Sequence, residues 1–290
     1  MKDLFKKHVD YLRLANTVPL LDHGYVKLRN ISGPTRRKDA VFDADDIDPA
    51  NTARISFDSL DSGRSRETDL RLYEYLMKNR HSTPVEMIEI WIEMKLPIFL
   101  AREFIRHRTA SVNEVSARYV KLEKEWYVPM IVGGKPTNGA KQGQEDNLDM
   151  QLQEQFKADL HKACLYSYNK YEDYISAGVA PEHARLFLHV NHYTRWIWKQ
   201  DLHNIMHFLA LRLDEHATIE ARMYTTAIYN TLKQYLPKSM EFFEAYRSLP
   251  STEERTVVAG ILQSVLDDIP EGALPDKVKL IKKALRRVKI

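Results

Sequence analysis

The segment IEIWIEMKLPIFLAREFIRHR, residues 88–108, decides the fold. Its first half alternates, with Ile88, Ile90, Ile92, Met94 and Leu96 on one side and Glu89, Glu93 and Lys95 opposite. Period-two alternation of this kind predicts a strand with one buried face. Pro97 ends the alternation and suits the first turn of a helix, where its missing N–H costs nothing. The spacing after it predicts a helix over PIFLAREFIRHR, so an apolar strand leads into a helix whose far end is basic.

That basic end opens RHRTASVNEVSARY, Arg106 to Tyr119, with three arginines, a histidine, a glutamate, an asparagine and two serines. A guanidinium fork binds phosphate bidentately, and crowding several forks is costly unless an anion neutralises them. Complementing a helix dipole accounts for one or two of Arg102, Arg106 and Arg108. It does not account for Asn113, Glu114, Ser116 and Arg118 in the adjoining loop. An anion site is expected here.

Working outward, YVKLRNI within 22–33 reads as a strand and LFKKHVDYLRLA (4–15) as a short helix. SGPTRRKDAVFDADDIDPANT (32–52) reads as a loop, RETDLRLYEYLMKN (66–79) as a helix and VGGKPTNGAKQGQEDNLD (132–149) as a loop. Helices are expected over 149–177, 181–190, 192–235, 238–247, 252–268 and 275–288, with Ser251 and Glu254 forming a capping box. Strands early and helices late give an α+β expectation: one main domain, an antiparallel sheet near the start, then long helices. There is no internal repeat.

Composition narrows the class. The chain has 290 residues, 44% hydrophobic and 29% charged, with a net charge of +3. That balance suits a globular core and gives no reason to expect nucleic acid as a partner. Nothing resembles an apolar h-region or a membrane span, so no membrane association and a cytoplasmic location are expected. The single cysteine, Cys164, excludes an intrachain disulfide and a Cys-rich metal site. Mid-helix, it reads as a small buried hydrophobe rather than a nucleophile.

A second cluster lies in EHARLFLHVNHYTRWIWKQDLHNIMHFLALRLDEHATIEAR (182–222). At helical spacing Arg212 and His216 share a face, Asp201 lies about three turns from Arg212, and Arg185 can converge from the preceding helix. His203 and His207, four apart, have the spacing of two metal ligands, but no third ligand is evident. With ten glycines, no G-x-G-x-x-G, no phosphate loop and no nucleophile elbow, any nucleotide must be held by side chains and helix ends.

Arg106-His107-Arg108, seven residues and Ser116 form R-H-R-x7-S. This resembles the signature of the flavin-dependent thymidylate synthases. The likeness continues in ARISFDS (53–59), YLMKNRHSTPVE (75–86), the stretch 97–129 and YTRWIWKQDLHNIMHFLALRLDEHA (193–217). It covers about residues 22–236, with 1–21 and 237–290 as an N-terminal and a C-terminal helical extension. The latter's PDKVKLIKKALRRVKI carries an apolar stripe, Val278, Ile281, Leu285 and Val288, expected to pack on the domain as a solvated helix.

The resemblance implies a homotetramer with active sites shared between subunits. It would methylate dUMP to dTMP with 5,10-methylenetetrahydrofolate as carbon donor and FAD, reduced by NADPH, as hydride source. It further implies that Arg212 activates the pyrimidine. Arg102, Glu103, Arg106, Glu114, Ser116, Ala117, Arg118, Arg185 and Arg212 would contact dUMP. His81, Thr83, Arg106, His107, Arg108, Glu114, Asp201, His203, His207 and His216 would contact FAD. Glu103 stands where the family commonly has Gln, Asp201 and His207 where Asn is frequent, and His203 where Arg occurs. Two other readings of the residues are a non-catalytic nucleotide- or RNA-binding protein using Arg106–Arg118, and a metal-dependent helical hydrolase centred on Asp201, His203 and His207.

Overall fold

The structure is a computed structural model that describes residues 17–34, 42–59, 64–137, 143–145 and 147–247. Residues Met1–Ser248 form one compact unit and Leu249–Ile290 a second. The helices expected over 4–15, 252–268 and 275–288, the capping box at Ser251 and the apolar C-terminal stripe lie outside the described residues.

Five strands make one sheet: β1 (Thr17–Leu20), β2 (Gly24–Ser32), β3 (Glu89–Pro97), β4 (Ser111–Glu114) and β5 (Tyr193–Asp201). Their spatial order is β1-β2-β3-β5-β4, and every pairing is antiparallel. The β3 register runs unbroken against β5, from Glu89 opposite Asp201 to Pro97 opposite Tyr193. β3 fulfils the alternation that announced it, since Ile88, Ile90, Ile92, Met94 and Leu96 are all buried. β1 went unforeseen; it is four residues long and pairs with β2 across a tight turn.

The helices are α1 (Asp48–Ala53), α2 (Arg66–Lys78), α3 (Ile98–Phe104), α4 (Met150–Ser176), α5 (Pro181–Ala184), α6 (Leu202–Arg212), α7 (Ile219–Tyr235) and α8 (Pro237–Tyr246). α2 begins at Ser65, whose hydroxyl accepts from Thr68 N, and α4 begins at Asp149, whose carboxylate accepts from Leu152 N. Asp46 performs the same service for α8 from outside it, accepting from the backbone N–H of Lys238 at 3.0 Å and of Ser239 at 2.7 Å. A carboxylate at a helix N-terminus satisfies orphan donors and complements the dipole.

Three expectations are corrected. The helix expected over 192–235 is instead β5, α6, a turn and α7, with β5 at the heart of the sheet rather than early in the chain. Within YTRWIWKQD the inward residues Trp196, Trp198 and Gln200 alternate with Arg195, Ile197 and Lys199, so period two wins locally over the helical period that follows. The loop expected over 32–52 contains α1, with Pro49 in its first turn. The helix expected over 181–190 stops at Ala184 and tightens into a 3-10 turn, Arg185–Phe187.

One core forms between the inner face of the sheet and α2, α3, α6, α7 and α8, with Trp196, Trp198, Tyr73, Phe104, Phe208, Tyr224 and Phe243 among its largest contributors. Phe104 and Trp198 both meet Phe208 edge-on, with ring centroids 5.0 and 4.8 Å away. A smaller cluster holds Trp126, Cys164, Tyr168, Tyr171 and Ala184. Cys164 is buried there, as expected, and burial pushes its thiol pKa up, away from nucleophile chemistry.

Candidate active site

The C-terminal ends of α3 and α6 meet beside the turn that opens α7. Between them is a cleft of about 770 Å³ lined by Glu103, Arg106, Arg212, His216, Glu220 and Arg222, among others. α3 delivers Glu103 directly, while Arg106 and His107 follow in the turn closed by His107 N donating to Phe104 O at 3.0 Å. Arg212 is the last residue of α6. The helical face expected to join Arg212 and His216 does not exist, because the chain turns after Arg212 and restarts at Thr218, whose hydroxyl caps α7. The turn brings His216 to the same cleft by another route, tied back to Asp214 through its N–H at 3.0 Å and Nδ1 at 2.6 Å.

Charge in the cleft is mixed but not self-neutralised. Among the described residues no hydrogen bond or ion pair engages the side chain of Arg106, nor those of Arg102 and Arg108, which line neither this cleft nor the next, and Nε of Arg222 is buried without a partner. Arg212 donates from Nε to His107 Nε2 at 3.3 Å and from Nη2 to the Glu103 carbonyl at 3.4 Å. Burial raises the Glu103 pKa, with Arg212 opposing, and its carboxylate accepts from Thr218 Oγ1 at 3.5 Å. His107 is the reverse case: burial, then Arg212 and His207, hold its pKa down to about 4.

A second cleft, of about 360 Å³, takes Glu114, Ser116, Ala117, Arg185 and Thr194. Its loop is anchored on β5 by Val115 N donating to Arg195 O at 2.8 Å, and Ser116 Oγ accepts from Arg118 N at 3.3 Å. Arg118 is drawn off to Glu182 Oε2 at 3.1 Å, while Arg185 Nε donates to the Glu182 carbonyl at 3.3 Å. The two clefts share no lining residue.

The remaining candidates fall elsewhere. His81 and Thr83 are exposed after α2, with the His81 ring 6.0 Å from Tyr75. Asp201 is the N-cap of α6, its carboxylate held by Asn204 N at 2.9 Å and Asn204 Nδ2 at 2.7 Å. The His203 pKa is lowered by burial and then by Arg247, and the His207 ring sits 6.2 Å from His107. Among the described residues no group of three His, Cys, Asp or Glu side chains can hold a metal, which leaves the hydrolase reading without a centre. Nor is any helix there long and apolar enough to cross a membrane.

Sequence reasoning missed Glu220 and Arg222. Their signal was Thr218, a helix-start residue two and four positions earlier, which was submerged in the single long helix expected across it.

An antiparallel α+β fold that gathers guanidinium groups without carboxylate partners at the ends of two helices has the makings of a protein that handles an anionic ligand. Residues 41–238 match the family model described as thymidylate synthase complementing protein. The flavin-dependent thymidylate synthase of Gluconobacter oxydans is 41% identical over 235 residues, spanning 79% of this chain and 72% of its own. That of Thermus thermophilus is 37% identical over 258 residues, 89% of each chain. Among solved structures, the UMP/dUMP methylase PolB from Streptomyces cacaoi, bound with 5-Br dUMP, superposes with a TM-score of 0.66 at 27% identity, over 79% of this chain and 98% of that one. The chain belongs to the flavin-dependent thymidylate synthase family.

Proposed function

We propose that this protein methylates dUMP to dTMP, taking the carbon from 5,10-methylenetetrahydrofolate and releasing tetrahydrofolate. The observation that carries the reading is the meeting of Arg106 and Arg212 in one cleft, both without a carboxylate partner among the described residues, beside an R-H-R-x7-S motif. Each needs an anion or a polar ligand edge to complete its hydrogen bonding.

The donor set fits a flavin nucleotide: Arg106, with Arg108 and His216 close in sequence to the same helix ends, offers donors to phosphate and ring oxygens. FAD bound there, reduced by NADPH, supplies the hydride. His81, Thr83, Asp201, His203 and His207 line neither cleft. Such a divided set supports a homotetramer in which different subunits complete each site. The span 22–236 is the catalytic domain, with extensions on either side.

In this reading Glu114, Ser116, Ala117 and Arg185 wrap the dUMP phosphate and sugar. Arg118 joins them by exchanging Glu182 for the phosphate. Arg102, Glu103, Arg106 and Arg212 meet the pyrimidine side. Arg212 lies along the N3–C4=O edge, where a fixed guanidinium stabilises negative charge developing on the ring. Purified protein should be yellow, and NADPH should bleach its flavin absorbance. Colourless protein that takes up no added FAD sinks the proposal.

A further inference from the structure

We propose that His107 is a positioning residue whose Nε2 accepts from Nε of Arg212 and so aims that guanidinium into the cleft. The proposal rests on Arg212 acting on the pyrimidine, and it gives His107 a task other than touching flavin.

The geometry is over-determined. His107 is fixed at its backbone by N–H donation to Phe104 O at 3.0 Å, and its carbonyl accepts from Ala110 N at 3.2 Å. Its ring is fixed by Phe208, which meets it edge-on at 4.9 Å and 87° and is itself fully buried in the core. With the plane set, Nε2 faces Arg212 Nε at 3.3 Å. Arg212 is then held at two further points, Nη2 on the Glu103 carbonyl at 3.4 Å and its own carbonyl on Thr225 Oγ1 at 3.1 Å. Nη1 is left without a protein partner among the described residues, in a side chain that lines the cleft.

Arginine only donates, so Nε2 must carry the lone pair and Nδ1 the proton. The charged and titratable groups beside the ring are Arg212 and His207, both of which disfavour the imidazolium. Neutral at physiological pH, His107 orients a cation without repelling it. Losing an acceptor to a charged donor is worth about tenfold to a hundredfold.

The test uses full-length, FAD-loaded enzyme with isotope-labelled dUMP, comparing His107→Leu, His107→Gln, Arg212→Ala and the His107→Leu/Arg212→Ala pair. His107→Leu should lower kcat by about tenfold to a hundredfold with flavin content unchanged. His107→Gln, which restores a carbonyl acceptor, should recover most of the loss. In the Arg212→Ala background His107→Leu should change kcat by less than about twofold, because the two act as one unit. Equal losses in both backgrounds, a Gln variant as poor as the Leu one, or a loss explained by missing flavin would each overturn the proposal. Near-normal turnover in Arg212→Ala would instead sink the role given to Arg212. Selective 15N labelling separates the cases, since the hydrogen bond requires a protonated Nδ1 and a bare Nε2, and the opposite tautomer refutes it.

Discussion

Arg212 has two hydrogen bonds to spend on being held still and the rest of its guanidinium to spend on a ligand. Removing one preorganised donor of this kind typically costs about a hundredfold or more in rate. Arg212→Ala should therefore bind FAD normally, by absorbance, while dTMP formation falls by at least that factor; normal yield with normal flavin contradicts the assignment. Asp201 carries a different expectation. The resemblance makes it a flavin contact, whereas the structure spends its carboxylate on capping α6. Asp201→Ala should cost about 1 kcal/mol of stability, read by urea unfolding. A loss of flavin with stability unchanged would favour the contact instead. At this scale residue types were legible in the sequence: the crowding of arginines was plain, and Arg106 and Arg108 stand without a side-chain partner among the described residues. Partners were not, because Arg118 pairs with Glu182, sixty-four residues away, and only folding decides which guanidinium is neutralised.

At the scale of elements, β3 was legible because every second residue from Ile88 to Leu96 is apolar and Pro97 marks its end. β5 was not, since four aromatic or apolar residues in YTRWIWKQD run straight into the helical period of LHNIMHFLALR. The boundary lies at Asp201, which ends the strand and caps the helix at once. β5 is the strand between β3 and β4, so misreading it hides how the Ser116 loop is tethered to the sheet. Trp198 is fully buried from that strand against Phe208, the residue that clamps His107. Trp198→Ala should destabilise the fold by about 3–5 kcal/mol, measured by denaturant midpoint. A shift below about 1 kcal/mol would mean that β5 does not organise the core.

At the scale of the molecule, buried histidines tie stability to pH, with the largest shifts at His107 and His192. Burial holds the pKa of His107 and of His192 down to about 4, aided by Arg212 at the first and Lys95 at the second. In the unfolded chain both would take up protons below about pH 6.5. Their folded-state pKa is the lower one, so stability is complete above about 6.5 and falls as pH drops toward 4. Melting temperature should decline across that window, and His192→Phe should flatten the decline; an unchanged slope would locate the proton uptake elsewhere. The two separate clefts are the larger lesson of this scale, for the residues that the resemblance assigns to dUMP and FAD, where they line a cleft, are divided between them. No reading of spacing along the chain could show that division. The most direct measurement is the conversion of labelled dUMP by the purified protein with 5,10-methylenetetrahydrofolate, FAD and NADPH. The account predicts dTMP together with tetrahydrofolate, and no product when FAD is stripped. Product that forms equally well without flavin, or none with every component present, would contradict it.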